Sequence, residues 1–366
     1  MKKILVAFGT RPEIIKLAPV IHQLKASGKF DVITLHTGQH DELARTMLDI
    51  FNLDPDYDLK SMTSSSDLFE LSQFLLPKLK QLFVAEEPDA VIVQGDTTSA
   101  YLSALSAFYL NIPVVHVEAG LRSFDNTNPF PEEMNRKQIS NLASLHFAPT
   151  SLAKLNLLNE GIDDSRVFET GNTVIDALYK IKDSNQFSAS KPAILDEVND
   201  SQILILVTVH RRENLGKPLQ GILDALIQLL NKDKSRIILF PAHPNPKLQT
   251  VLRSEKYRHE RLRIIEPLDY LSFHHILERS NLILTDSGGI QEEAAALDKK
   301  MLVLRKATER QELIESGFTK LVGANTEMIV NQTESVLRST KEINCLSPYG
   351  NGTAAKKIVE ILVSQL

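Results

Sequence analysis

The chain contains no tryptophan and one cysteine, Cys345. A single thiol excludes an internal disulfide and any cysteine-based zinc cluster, and it fits a reducing compartment, so a cytoplasmic location is expected. No segment approaches the 18 uninterrupted apolar residues of a membrane-crossing helix. The short apolar run of residues 1–9 is ended by Thr10-Arg11-Pro12-Glu13 before a secretory core could form. Neither charge sign dominates: 41 Lys and Arg stand against 46 Asp and Glu, interspersed, for a net charge of −5. That balance argues against a nucleic-acid surface, and a phosphate ligand would need a local basic site instead. There is no GxGxxG and no GxxxxGK[ST], which counts against a nicotinamide dehydrogenase and a P-loop enzyme. Repeats and low-complexity tracts are absent as well.

What is present is 366 residues, 43% of them hydrophobic, enough for a large core and better suited to two domains than one. Short apolar, β-branched runs alternate with amphipathic stretches. Ile4 to Phe8, Val32 to His36, Ala90 to Gln94, Val114 to Val117 and Leu145 to Ala148 read as buried strands of a parallel sheet. The pattern restarts with Ile203 to Val209, Arg236 to Phe240, Leu262 to Ile265, Asn281 to Thr285 and Met301 to Leu304. The expected fold is therefore α/β, with two Rossmann-like lobes: residues 1–181, a polar linker at 182–201, and residues 202–348. The spacing of Ala354, Ala355, Ile358, Ile361 and Leu362 predicts a final helix, within residues 349–366, that returns to the first lobe.

Residues that suggest chemistry cluster at the strand-to-helix junctions. The first strand runs into Gly9-Thr10-Arg11-Pro12-Glu13, where Thr10 and Glu13 have capping-box spacing and Arg11 and Lys16 fall in the first turns of a helix. Helix-end amides and two cations there favour an anion, although an ordinary capped helix is the alternative. Pro19 is expected to kink this helix. In the second lobe Asp286-Ser287-Gly288-Gly289 follows a strand and opens a helix near Ile290. Paired glycines let a diphosphate approach main-chain amides, Ser287 either caps the helix or binds a phosphate oxygen, and Glu292 or Glu293 could accept from ribose hydroxyls. Asp96, Glu118 and Glu132 supply carboxylates in the first lobe; brought together and partly desolvated, such groups separate their pKa values and divide acid from base duty. The alternatives are a helix N-cap for Asp96, a metal ligand set of His116 with Glu118, and a solvated helix turn for Glu132 and Glu133. His210, with Arg211 and Arg212 next to it, and His243 also follow strands. Spacing alone makes Phe273 a helix core residue.

Together, Gly9 to Glu13, Gln94-Gly95-Asp96-Thr97-Thr98, His116-Val117-Glu118-Ala119-Gly120-Leu121-Arg122, Pro131-Glu132-Glu133-Met134-Asn135-Arg136, His210-Arg211-Arg212-Glu213-Asn214, Asp286 to Glu293 and Pro348-Tyr349-Gly350-Asn351-Gly352 resemble the non-hydrolysing UDP-N-acetylglucosamine 2-epimerases. The resemblance spans nearly the whole chain, with the motifs in family order. It implies the two-lobed fold shared with GT-B glycosyltransferases, an active site in the cleft between the lobes, a homodimer, and no metal or nicotinamide cofactor. It implies reversible inversion at C2 of a UDP-linked 2-acetamido sugar, with UDP-GlcNAc and UDP-ManNAc as the pair, through loss of UDP to a 2-acetamidoglucal. By motif match Asp96, Glu118, Glu132 and His210 take catalytic positions, while Arg11, Lys16, His243, Phe273, Ser287, Gly288, Gly289, Glu293 and Arg310 bind UDP, with Phe273 against uracil. Relatives regulated by a second UDP-GlcNAc carry an Ala-Gln-His-Arg-type segment; here it reads Thr37-Gly38-Gln39-His40-Asp41-Glu42, so Gln39 and Arg136 remain as allosteric candidates. Relatives that act on modified UDP sugars, such as diacetamido uronates, and a hydrolysing relative that releases ManNAc are the neighbouring activities.

Overall fold

The structure is a computed structural model that describes residues 1–38, 42–61, 67–242, 245–306, 308, 310–339 and 347–366. Gln39, Asp41, the serine run at 64–66, His243 and Cys345 lie outside the described residues. The chain forms two compact units, Met1–Ile181 with Tyr349–Leu366, and Lys182–Pro348.

The first unit is built on β1 (Lys2–Phe8), β2 (Phe30–His36), β3 (Tyr57–Asp58), β4 (Ala90–Gln94), β5 (Val114–Val117), β6 (Leu145–Ala148) and β7 (Val167–Glu169). They form one parallel sheet in the order β3-β2-β1-β4-β5-β6-β7. The second unit has β8 (Ile203–Thr208), β9 (Arg236–Pro241), β10 (Leu262–Ile265), β11 (Leu282–Thr285), β12 (Met301–Val303) and β13 (Thr319–Leu321), parallel and ordered β10-β9-β8-β11-β12-β13. Central strands such as β4, with every residue buried, are apolar throughout because helices cover both faces of the sheet, and this is why they read as continuous runs rather than alternations.

In each sheet the first strand is central and the order reverses beside it, between β1 and β4 and again between β8 and β11. Connections leave these neighbouring strands toward opposite faces, and the carboxyl ends of such a pair are the place where sheets of this kind bind ligands.

Two helices differ from what the sequence predicts. Arg11–Ser27 continues through Pro19 as one element, with Ile14, Leu17, Ala18, Ile21 and Leu24 buried around it. The helix after β11 starts at Gly288 rather than near Ile290. Residues 182–201, polar in sequence, fold onto the second unit through the short helix Asn185–Ala189, whose Phe187 stacks on His275 at 3.8 Å. The last helix, Ala354–Gln365, packs against Arg11–Ser27 and buries Ile358, Val359 and Leu362. Its first amides are capped from a distance: the Asp176 carboxylate accepts from Ala354 N at 3.2 Å and Ala355 N at 2.9 Å. Among the described residues no helix is long and apolar enough to cross a membrane.

Candidate active site

The residues singled out in the sequence fall at the two reversal points, one group in each unit. In the first unit they follow β1, β4 and β5. Glu118 closes β5 with φ +64°, a left-handed conformation that costs a glutamate energy and that concentrates at functional positions. Its side chain is nearly buried and is held by Lys16, with which it forms an ion pair, and by Asn172 Nδ2 at 3.0 Å. Asn172 is itself fixed, since its amide donates to Tyr349 O at 2.8 Å and its Oδ1 accepts from Val174 N at 3.1 Å.

Asp96 is paired with Arg136, and Asn135 Nδ2 donates to the Asp96 carbonyl at 2.9 Å. Burial would lower the Arg136 pKa, but Asp96, Glu133 and Glu118 outweigh it and raise it above its ordinary value, so the guanidinium is a permanent cation. The N-cap of the following helix is Thr97, whose Oγ1 accepts from Ala100 N at 3.0 Å; Asp96 is therefore not a cap, and its carboxylate is left to the Arg136 pair and to ligand.

Glu132 and Glu133 could not be ranked from sequence. Here they separate cleanly. Glu133 is fully buried and consumed, accepting from Arg136 at 2.9 Å, Ser123 N at 3.0 Å and Phe124 N at 3.2 Å. Glu132 is half-buried, and its Oε2 is buried with no hydrogen-bond partner among the described residues. The carboxylate available for chemistry is Glu132.

The β1 junction holds a second surprise. Glu13 reaches back to accept from Thr10 N at 2.7 Å and Gly9 N at 3.0 Å, and it accepts from Thr97 Oγ1 at 2.8 Å. Two of the helix-end amides that seemed free for an anion are thus already taken. Burial pushes the Glu13 carboxyl up to about 7, although the hydrogen bonds from Thr10, Thr97 and Gly9 pull it down. Glu13 stitches the β1 turn to the turn that carries Asp96. Arg11 stays half-buried on the first helical turn.

In the second unit Asp286 ends β11 fully buried, and its carboxylate accepts from Arg211 N at 3.0 Å, His210 N at 3.1 Å and Asn214 Nδ2 at 2.9 Å. His210 Nδ1 lies 3.1 Å from it, while the ring is 44% exposed. Burial would raise the Asp286 pKa, but His210, Asn214 and the Arg211 amide hold it below its ordinary value. Ser287 occupies the N-cap of the helix Gly288–Ala296 but makes no capping hydrogen bond, so its hydroxyl does not satisfy the helix start. A Cβ on Gly288 would sit 2.4 Å from Arg310 Nη1, whereas one on Gly289 would meet nothing within 4 Å. Gly288 therefore makes room for the guanidinium, while Gly289 borders open space. Arg310 is held over this turn by the buried Glu292, at 2.7 and 2.9 Å. An uncapped helix start with a fixed cation beside it has the chemistry to hold an anion. Glu293 is nearly buried, with Tyr270 OH at 3.3 Å and His274 Nε2 at 3.2 Å. Phe273, on the helix Tyr270–Arg279, is half-buried and packs edge-on against His274.

Sequence reasoning missed Asn172 and Asn214 as parts of these constellations and gave Asp286 no task of its own. Asp286 was within reach, because like Glu118 it directly follows a fully buried strand. The partners of Asn172 are too distant in the chain for any local signal. Of the metal alternative, no group of three or more His, Cys, Asp or Glu side chains suited to an ion occurs among the described residues, and His116 Nε2 lies 2.8 Å from the Gly95 carbonyl.

The sequence profile of the UDP-N-acetylglucosamine 2-epimerase family matches residues 22–363. The chain is 42% identical over 370 residues to the UDP-N-acetylglucosamine 2-epimerase of Bacillus subtilis, covering 99% of this chain and 95% of that one. Its fold matches the Neisseria meningitidis UDP-GlcNAc 2-epimerase bound to UDP-GlcNAc with a TM-score of 0.90 at 39% identity, over 99% of this chain and 100% of that one. It matches the Methanocaldococcus jannaschii UDP-GlcNAc 2-epimerase in complex with UDP-GlcNAc and UDP with a TM-score of 0.82 at 37% identity, over the whole of both chains. The two parallel sheets are thus those of a known lineage, and the chain belongs to the UDP-N-acetylglucosamine 2-epimerase family.

Proposed function

We propose that the chain interconverts UDP-GlcNAc and UDP-ManNAc by inversion at C2. The observation that carries this reading is the first-unit constellation: Glu118, in a left-handed conformation and clamped by Lys16 and Asn172, accompanies Asp96 on Arg136 and the unsatisfied Glu132. A base takes the C2 proton, the C2–H electrons form a C1–C2 double bond, and the C1–O bond breaks with its pair leaving on UDP. The 2-acetamidoglucal is then protonated on the other face and UDP adds back. Asp96, Glu118, Glu132 and His210 are assigned this proton chemistry. Ser287, Gly288, Gly289 and Arg310 are assigned the diphosphate, whose developing charge a fixed cation and helix-end amides stabilise. Glu293 is assigned the ribose, Phe273 the uracil, and Arg11 and Lys16 are further contacts of the ligand.

Proton NMR of the reaction with UDP-GlcNAc in deuterated water is the test. Deuterium at C2 together with a second UDP sugar of the manno configuration is expected; unexchanged C2 with no second UDP sugar removes the reading for this substrate. Free ManNAc in step with UDP would point to the hydrolysing reaction instead. A panel that includes diacetamido uronates sets the sugar preference, and the pathway we assign is supply of an amino sugar for surface polysaccharide.

The homodimer belongs to the same proposal. Phe69 and Val84 on Leu68–Glu86, and Phe108 and Tyr109 on the adjoining Thr98–Tyr109, are all more than half exposed. We assign the association face to these two adjoining helices. Light scattering at twice the chain mass is expected, and Phe69→Glu with Tyr109→Glu should shift it to one.

A further inference from the structure

We propose that Asp286 is a positioning residue that fixes the tautomer and ring orientation of His210, so that Nε2 is the atom His210 presents for reaction. The inference rests on the reading of His210 as a group that meets substrate, and it assigns a task to an acid that the proposed reaction has not used.

Asp286 is fully buried, so each of its oxygens has to be satisfied by protein. Three donors around it cannot be anything else: the His210 amide, the Arg211 amide and Asn214 Nδ2. Three fixed N–H donors stabilise the ionised form of this carboxyl, which then only accepts. Its fourth neighbour is His210 Nδ1, 3.1 Å from Oδ1. Facing an anion, that nitrogen carries the hydrogen, and in the neutral ring the lone pair then falls on Nε2.

The surroundings hold this arrangement rigidly. The Asp286 amide donates to Thr208 O, which ties the end of β11 to the end of β8. Asn214 also donates to Leu304 O at 2.9 Å, which anchors the loop after β8 beyond β12. The imidazole, 44% exposed, is therefore the one part of this cluster that reaches outward. When Nε2 takes a proton the ring becomes a cation whose Nδ1–H still points at the carboxylate, and the new charge is neutralised within the pair. When Nε2 gives the proton up the same tautomer returns. This is the orienting logic that buried carboxylates serve in acid–base dyads elsewhere.

The test is nitrogen NMR of the full-length protein labelled at the histidine side chains, with His210 assigned by the signals lost in His210→Gln. In the neutral wild-type ring a protonated Nδ1 and a bare Nε2 are expected. A protonated Nε2 overturns the proposal, and that result needs no turnover. Asp286→Asn should abolish the tautomer preference and lower kcat on UDP-GlcNAc about 100-fold while UDP affinity changes less than about threefold. An equal fall in UDP affinity and kcat would make Asp286 a structural support of the turn and overturn the positioning role. Should the protein prove inert toward UDP-GlcNAc, the tautomer measurement still decides this proposal separately.

Discussion

Removing the hydrogen atom of the Gly288 α-carbon and adding a methyl would place that methyl 2.4 Å from the Arg310 guanidinium. A free arginine would swing aside at little cost. Arg310 is not free, because Glu292 holds it in a buried pair. Gly288→Ala should therefore displace a fixed cation from the helix start and weaken UDP binding about 10- to 100-fold, the range for a lost charged contact; isothermal titration with UDP measures it, and thermal stability should fall as well because the buried Glu292 pair is disturbed. Glu13 makes a prediction of a different kind. Its folded pKa of about 7 lies above the ordinary 4.5, so the native state holds a proton more tightly than the unfolded chain. Its stabilising contribution is complete below pH 4.5 and is lost as pH rises to 7. Glu13→Gln keeps the shape without the ionisation, and its melting temperature relative to wild type should climb between pH 4.5 and 7. A constant difference across that range would assign the group an ordinary, ionised state.

At the scale of elements, the strands that were legible are those buried on both faces. β4, β5 and β6 have the boundaries their apolar runs predict, because a doubly covered strand leaves no polar position to blur its limits. β3, β7 and β13 were not legible. They are two or three residues long and lie at or near sheet edges, and Asp58, Glu169 and Lys320 in them face solvent, so no run forms. The same contrast governs the site. Asp96 and Glu118 could be read because each ends an apolar strand, whereas choosing Glu132 over Glu133 required knowing where Arg136 and the amides of Ser123 and Phe124 lie. Among the helices, Ala354–Gln365 offers the clearest measurement. Leu362 is fully buried against the first unit, so Leu362→Ala should cost about 2–5 kcal/mol in urea unfolding of that unit.

Over the whole molecule, acid sensitivity is set by buried imidazoles. His116 and His146 face each other across β5 and β6 with no exposed surface. Burial, the main cause in both, lowers His116 to about 3 despite its hydrogen bond to Gly95, and His146 to about 4. Both lie below the unfolded value of 6.5, so their contribution is intact above pH 6.5 and is lost as pH falls toward 4 and 3. The melting temperature should drop across that window, and His116→Gln, which cannot take up the proton, should show a shallower drop. Glu13 works in the opposite sense between pH 4.5 and 6.5, so the wild-type profile is flatter there than either group alone would make it.

The last eighteen residues belong to the first unit, and the Tyr349 carbonyl that receives the Asn172 amide is among them. Gly171 beside it leaves only the space of a hydrogen atom, since a Cβ there would lie 2.9 Å from that carbonyl. A ribosome makes residues 1–181 first and these eighteen last. During synthesis the first unit must therefore wait, with one face of Arg11–Ser27 uncovered and the support of Glu118 incomplete, until the entire second unit has been translated. A nascent chain thus completes the second unit before the support of Glu118 is in place, and a chain ended ahead of Tyr349 would carry both units with that support missing.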